Sequence, residues 1–239
     1  MKTVYWAAWD NKDMLDEMFL GYSNPVNVLH DLQSNINKEN KMDNFLNCPA
    51  FSNQYKNTFM LKSPTTIDVT FKDNYIRNNL PEHIPFNQKS FIYKQPSLVG
   101  AKTIKAAANW IFFSEDNLVM ETMHPSMHNT PVSEYGYYVP GGFNISQWFR
   151  PIEYAFQMWE GCEKFKVTHN DPMMYVRFNT TERIELKKFT LSPKLFDMSM
   201  SCVRLKTYVR QRNLQKLYDI FTESKMRSQI LKEIKENLM

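Results

Sequence analysis

Glycine is scarce in this chain, with 6 among 239 residues. That argues against a glycine-rich phosphate loop and against architectures built on many glycine turns. Cysteine is nearly as rare. Cys48, Cys162 and Cys202 are odd in number, far apart and without a CxxC pair, which excludes a zinc knuckle or ribbon. A disulfide framework is not expected either, in keeping with a reducing compartment. No window approaches the ~18 apolar residues of a membrane span. The opening MKTVYWAAWDNKD lacks an apolar stretch long enough for a secretory leader. The expected location is therefore the cytoplasm or a particle assembled there. GxGxxG, Walker A, HExxH, GxSxG and the protein-kinase set are all missing, which removes the common nucleotide, metalloprotease and hydrolase readings. Charge of one sign is also lacking: 29 basic against 25 acidic residues leave a formal +4, too little by itself to indicate a nucleic-acid binder.

What is present is material for a core. A hydrophobic fraction of 43% with 14% aromatics belongs to a folded protein, and the length permits a single body. Thr3 to Trp9 reads as a buried strand. Pro25 to Gln33 reads as a helix with Asn24 as N-cap and Val28, Leu29 and Leu32 on its apolar face. Ser34 to Asn47 reads as a loop. Phe59, Met60 and Leu61 suit one strand, and Ile67, Val69 and Phe71 alternate along the next. Lys72 to Lys89 is a polar excursion with Pro81 and Pro85, expected to be a surface loop that supplies contacts. Phe91 to Tyr93 begins a strand, and Lys102 to Ala107 suits a helical turn.

Trp110 to Phe113 and Leu118 to Met123, around Ser114 to Asn117, predict a β-hairpin. Tyr135 to Val139 and Phe143 to Phe149 predict strands flanking Pro140-Gly141-Gly142. Ile152 to Trp159 is expected to pair with Phe165 to Thr168, and Met173 to Phe178 with Ile184 to Leu191. At Ser192-Pro193 the period changes. Leu214, Leu217, Tyr218 and Phe221, then Ile230, Leu231, Ile234 and Leu238, follow helical spacing. The expectation is an α+β protein. Residues 1–193 would form a mostly antiparallel β-sandwich or jelly-roll-like body. Residues 194–239 would form a basic, amphipathic helical hairpin or interrupted helix docked on it.

Four groups of residues carry candidate chemistry. Glu121, His124 and His128, with Asp171 further on, offer a two-histidine, one-carboxylate set for Fe(II) on a cupin-like body. Against it, residues four apart on an extended strand lie ~13 Å apart, so a turn at Pro125 would have to fold the histidines together. Otherwise they are solvated loop residues. Cys48, before Pro49, has Lys56 and His83 as conceivable partners for a thiolate, but reads better as a small buried hydrophobe. Arg150 in WFRP and Arg177 in YVRF have the residue type for bidentate anion binding; the structural alternative pairs them with Glu153 and Asp171. In the tail, Arg204, Arg210 and Arg212 lead a series of basic residues that would meet nucleic acid or an acidic partner. Their structural alternative is a solvated outer face.

Several strings occur in order: FLNCPAF, KNTFMLKSP, WIFFSEDNLVM, VPGGFNISQWFRP, DPMMYVRFNTTERIELKKF and the closing ILKEIKENL. From about Phe45 to the end, the chain resembles an uncharacterised family encoded by T4-like tailed bacteriophages of marine bacteria, with weaker similarity to a bacterial family of unknown function. The resemblance implies a phage source, which agrees with the Asn- and Lys-rich usage of an AT-rich genome. It carries over no catalytic residue. The function expected is a non-enzymatic accessory or virion-associated protein that binds a phage or host protein, in the host cytoplasm or the virion. The alternatives are a cupin-like Fe(II) oxygenase and a nucleic-acid binder acting through the basic helices.

Overall fold

The computed structural model describes residues 1–9, 21–35, 44–72, 75–78, 92–95, 103–208 and 213–239. Its organisation follows from strand β1 (Lys2–Ala8). Val4 and Trp6 point to one side of this strand, Tyr5 and Ala7 to the other, and all four are buried. A strand with two apolar faces must be covered on both, so β1 lies in a middle layer. Strand β7 (Thr103–Ser114) beside it repeats the pattern, with Trp110 and Phe112 on one face and Ile111 and Phe113 on the other.

The middle layer runs β14 (Ile184–Lys188), β1, β7, β11 (Pro151–Met158), β9 (Gly136–Tyr138), with β6 (Ile92–Gln95) also paired to β7. Facing it is a sheet in the order β10 (Gly141–Asn144), β8 (Val119–Met123), β13 (Pro172–Phe178), β3 (Thr58–Lys62), β2 (Val26–Asn27). Phe59 and Phe112, from opposite sheets, both set their rings against Phe178 at 5.8 and 5.9 Å. A small sheet of β12 (Lys164–Val167), β4 (Ile67–Lys72) and β5 (Tyr75–Asn78) adds Phe71 and Phe165 to the same core. Among the described residues every strand pairing is antiparallel except β1 with β14.

Helices α4 (Pro193–Tyr208), α5 (Leu214–Glu223) and α6 (Met226–Glu236) cover the other face of the middle sheet. Leu195, Leu217, Phe221, Ile230 and Ile234 join Tyr5, Ile111 and Phe113 in a second core. Each such buried side chain contributes roughly 1.5–3 kcal/mol. The protein is α+β, two facing sheets with a C-terminal helical layer. None of its described helices is long and apolar enough to cross a membrane.

Several expectations are corrected. Helix α1 spans Val28–Ser34, and its cap is Asn27, whose side chain accepts from the His30 N–H at 3.1 Å. It starts late because Val26 pairs with Met60 in the sheet. The segment 34–47 ends in a 3-10 turn, Phe45–Asn47, and Pro49 opens helix α2 (Pro49–Tyr55); its missing N–H costs nothing at that position. Residues 103–107, read as a helical turn, belong to strand β7, which has β6 and β11 pairing with it there. Tertiary pairing overrides local preference.

Neither the hairpin over Trp110 to Met123 nor the pairing of Met173 to Phe178 with Ile184 to Leu191 forms. β7 and β8 lie in different sheets, as do β13 and β14, and β12 pairs with β4 instead of β11. The strand at Phe143 ends at Asn144, and the tail is three helices, with Leu214 and Leu238 partly exposed. Most of the Lys72 to Lys89 excursion lies outside the described residues, within which β5 occupies Tyr75–Asn78.

Candidate functional site

The residues proposed as metal ligands each have another partner. The Asp31 carboxylate can only accept, so the Nε2–H of His128 donates to it at 2.8 Å. The other nitrogen, Nδ1, then accepts the hydrogen bond of the Tyr175 hydroxyl, and that oxygen accepts the Met127 N–H at 3.2 Å. Tyr175 is fully buried, and burial pushes its phenol far up, so it stays protonated. The set Asp31–His128–Tyr175 therefore pins helix α1 and the 124–128 turn to strand β13.

His124 has a different role. Its Nδ1 accepts the backbone N–H of Tyr138 at 3.2 Å, so the neutral ring carries its proton on Nε2 and donates to the Ser133 hydroxyl at 2.9 Å. Burial lowers its pKa, favouring that neutral form. Glu121 sits opposite Arg177 in the β8–β13 register and binds its guanidinium, with Nε at 2.9 Å. Asp171 accepts the Thr168 N–H at 2.7 Å. Among the described residues, no three His, Cys, Asp or Glu side chains are placed to share a metal ion.

Arg177 is thus paired with Glu121 and not with Asp171. Arg150 sits 6.0 Å from the Phe143 ring, a cation–π contact, while Glu153 pairs with Lys105 at 2.8 Å. Arg204 is exposed on α4, and Arg210 and Arg212 lie outside the described residues, as does His83. Cys48 is exposed where a buried hydrophobe was expected, because it stands at the start of α2, and Lys56 donates to the Thr181 carbonyl at 2.8 Å.

The feature that sequence reasoning missed lies directly above His124. Helix α3 (Val132–Tyr135) feeds into β9, whose alternation buries Tyr138 and turns Tyr137 and Val139 outward. Trp159, just past the end of β11, is 49% exposed and packs its ring 5.3 Å from that of Tyr137. This pair is held on three sides. The Trp159 indole N–H donates to the Ser133 carbonyl at 3.2 Å, its backbone N–H donates to Tyr135 O at 2.8 Å, and His124 bonds Ser133 and Tyr138 from below. Gly136 allows β9 to approach β11, because a Cβ there would lie 2.0 Å from the Gln157 carbonyl oxygen.

Two large rings are thereby shown to solvent in a fixed arrangement, with an apolar valine beside them. Such a surface offers contact area at low ordering cost. The sequence did hold a signal: Tyr137 and Val139 share parity on one strand, and Trp159 precedes the polar Glu160-Gly161. Both segments, however, read equally well as core strands. A second partly exposed aromatic run, Phe45–Phe51–Tyr55, leads ring by ring at 4.8 and 4.6 Å toward Tyr175. Comparison of the chain with protein-family models, curated proteins and solved structures returns no match.

Proposed function

We propose that this is a phage-encoded protein that acts by binding another protein, of the phage or of its host, and not by catalysis. The observation that carries the reading is the braced aromatic pair Tyr137–Trp159 on strand β9. Exposed tryptophan and tyrosine are the residue types that dominate binding energy at protein interfaces, and a ring pair fixed before binding loses little entropy on docking. His124, which braces the pair from below, has both ring nitrogens engaged in hydrogen bonds. The setting is the host cytoplasm or the virion, as the resemblance to a phage family implies.

The test uses the full chain, immobilised, with lysates of infected and uninfected host cells. Capture of a defined partner by the wild type, lost in a Tyr137→Ala, Trp159→Ala double variant that melts normally, is the expected result. Identical capture by both forms would overturn the assignment of this surface, and a wild type that captures nothing would overturn the binding reading itself.

A further inference from the structure

The junction between α5 and α6 faces the 144–147 turn across a cleft of about 560 Å³. Two of the residues lining it are cationic, Lys225 and Arg227, and none is acidic. Glu115, whose carbonyl Arg227 meets, turns its carboxylate to other hydrogen-bond partners: it accepts from the Tyr5 hydroxyl at 2.9 Å and pairs with Lys235 at 2.7 Å, while Arg227 acts on it through charge alone. Arg227 gives one N–H to the Glu115 carbonyl, leaving other guanidinium donors. No carboxylate lies within ion-pair distance of Lys225 among the described residues, and its ammonium offers three donors.

The uncharged lining has a polarity set by the fold. The Asn144 side-chain oxygen accepts the Ser146 N–H at 2.9 Å and the Ser146 hydroxyl at 2.7 Å, which identifies its other atom as the NH2 group. That NH2 donates to Asn117, so Asn117 must present its oxygen to Asn144. Asn117 lines the cleft, and among the described residues its NH2 has no acceptor. The Asn144 backbone N–H is in turn taken by the Tyr218 hydroxyl at 2.7 Å, so the turn is anchored to α5. Gln147 adds a second carboxamide to the lining.

We propose that this cleft binds a small phosphorylated molecule, its phosphate taken by Lys225, Arg227 and the Asn117 amide. Two cations, the Asn117 amide donor and no acidic lining residue match a ligand that is all acceptor, and the volume suits a compound of sugar-phosphate to nucleotide size. The site shares no residue with the Tyr137–Trp159 surface, so it stands or falls independently of the binding function proposed above.

Titration calorimetry of the full chain with inorganic pyrophosphate tests it, with a short oligothymidylate as second probe. The wild type is expected to show saturable binding at one site. Lys225 has φ 56°, a conformation that glycine adopts freely, so Lys225→Gly removes the ammonium without straining the junction. It should weaken pyrophosphate at least roughly ten-fold. Asn117→Asp keeps an acceptor for Asn144 but puts an anion in the cleft, and should abolish binding with melting unchanged. Lys232→Gln, the same loss of charge elsewhere on α6, should bind like the wild type. Absence of saturable heat would overturn the proposal, as would an equal loss in Lys232→Gln. Oligothymidylate binding that pyrophosphate does not compete with would also overturn it, and would move the cations to nucleic-acid backbone contacts.

Discussion

The backbone N–H of Tyr138 donates to Nδ1 of His124 at 3.2 Å. That hydrogen bond decides the tautomer of the histidine and closes a donor on the outer side of β9, blunting an edge strand that would otherwise be open to pairing.

The first prediction follows from its sign. Protonated, His124 would turn a second N–H toward the Tyr138 N–H, and its pKa in the fold lies below the ordinary 6.5 because burial penalises the charge. The stability it contributes is therefore complete above pH ~6.5 and is lost as the pH falls through the lowered value. Urea unfolding should show wild-type stability falling between pH 7.5 and 5.5 more steeply than that of His124→Gln. Equal slopes would mean that the ring is not held neutral. The effect should be small, since the ring is only partly buried.

Gly136→Ala should be severe. The added Cβ would stand 2.0 Å from the Gln157 carbonyl oxygen and 2.8 Å from Met158 Cα, both backbone, so β9 would have to part from β11. A loss of about 3 kcal/mol is expected from overpacking, read from the urea midpoint. A loss under ~0.5 kcal/mol would show that the strand shifts freely.

Tyr175→Phe removes one hydroxyl that both accepts the Met127 N–H and donates to His128. Two partners are left unsatisfied in a part-buried site, and a loss of about 1–3 kcal/mol is expected. Amide exchange should locate the damage in helix α1, tied down through Asp31. Faster exchange spread evenly over the chain would contradict the pinning role.

Trp159→Ala should separate binding from folding. The side chain is 49% exposed, so the melting temperature should fall only slightly, whereas affinity for a partner should drop by roughly 2 kcal/mol or more if the ring is a central contact. A variant that binds normally would transfer the contact to the Phe45–Phe51–Tyr55 run.

Glu121→Ala leaves the Arg177 guanidinium without its carboxylate across β8 and β13. Both side chains are partly solvated, at 32% and 25% exposure, so the expected cost is about 1 kcal/mol. A loss of bound iron in this variant, measured by elemental analysis against the wild type, would revive the carboxylate as a ligand.

Strand and helix periods were legible where one residue in two, or in 3.6, had to be buried. Ile67, Val69 and Phe71 alternate because β4 gives one face to the core, and Leu217, Tyr218 and Phe221 are buried where their spacing predicted. The α+β class and the helical C-terminal segment followed from such patterns. Pairing was not legible. Ser114 to Asn117 looks like a hairpin turn, yet Ser114 bonds Thr3 O and the chain crosses to the other sheet, because a short polar turn serves a hairpin and a corner between sheets equally well. The partners of Glu121, His124 and His128 also escaped, since Arg177, Tyr138, Ser133, Tyr175 and Asp31 come from as far as 97 residues away. The sequence by itself determined which side chains must leave water, through periodicities that are local. Only the tertiary structure decided which strands face each other, which histidines are structural props and which aromatic pair is left outside, because those depend on contacts between segments whose separation along the chain encodes no geometry.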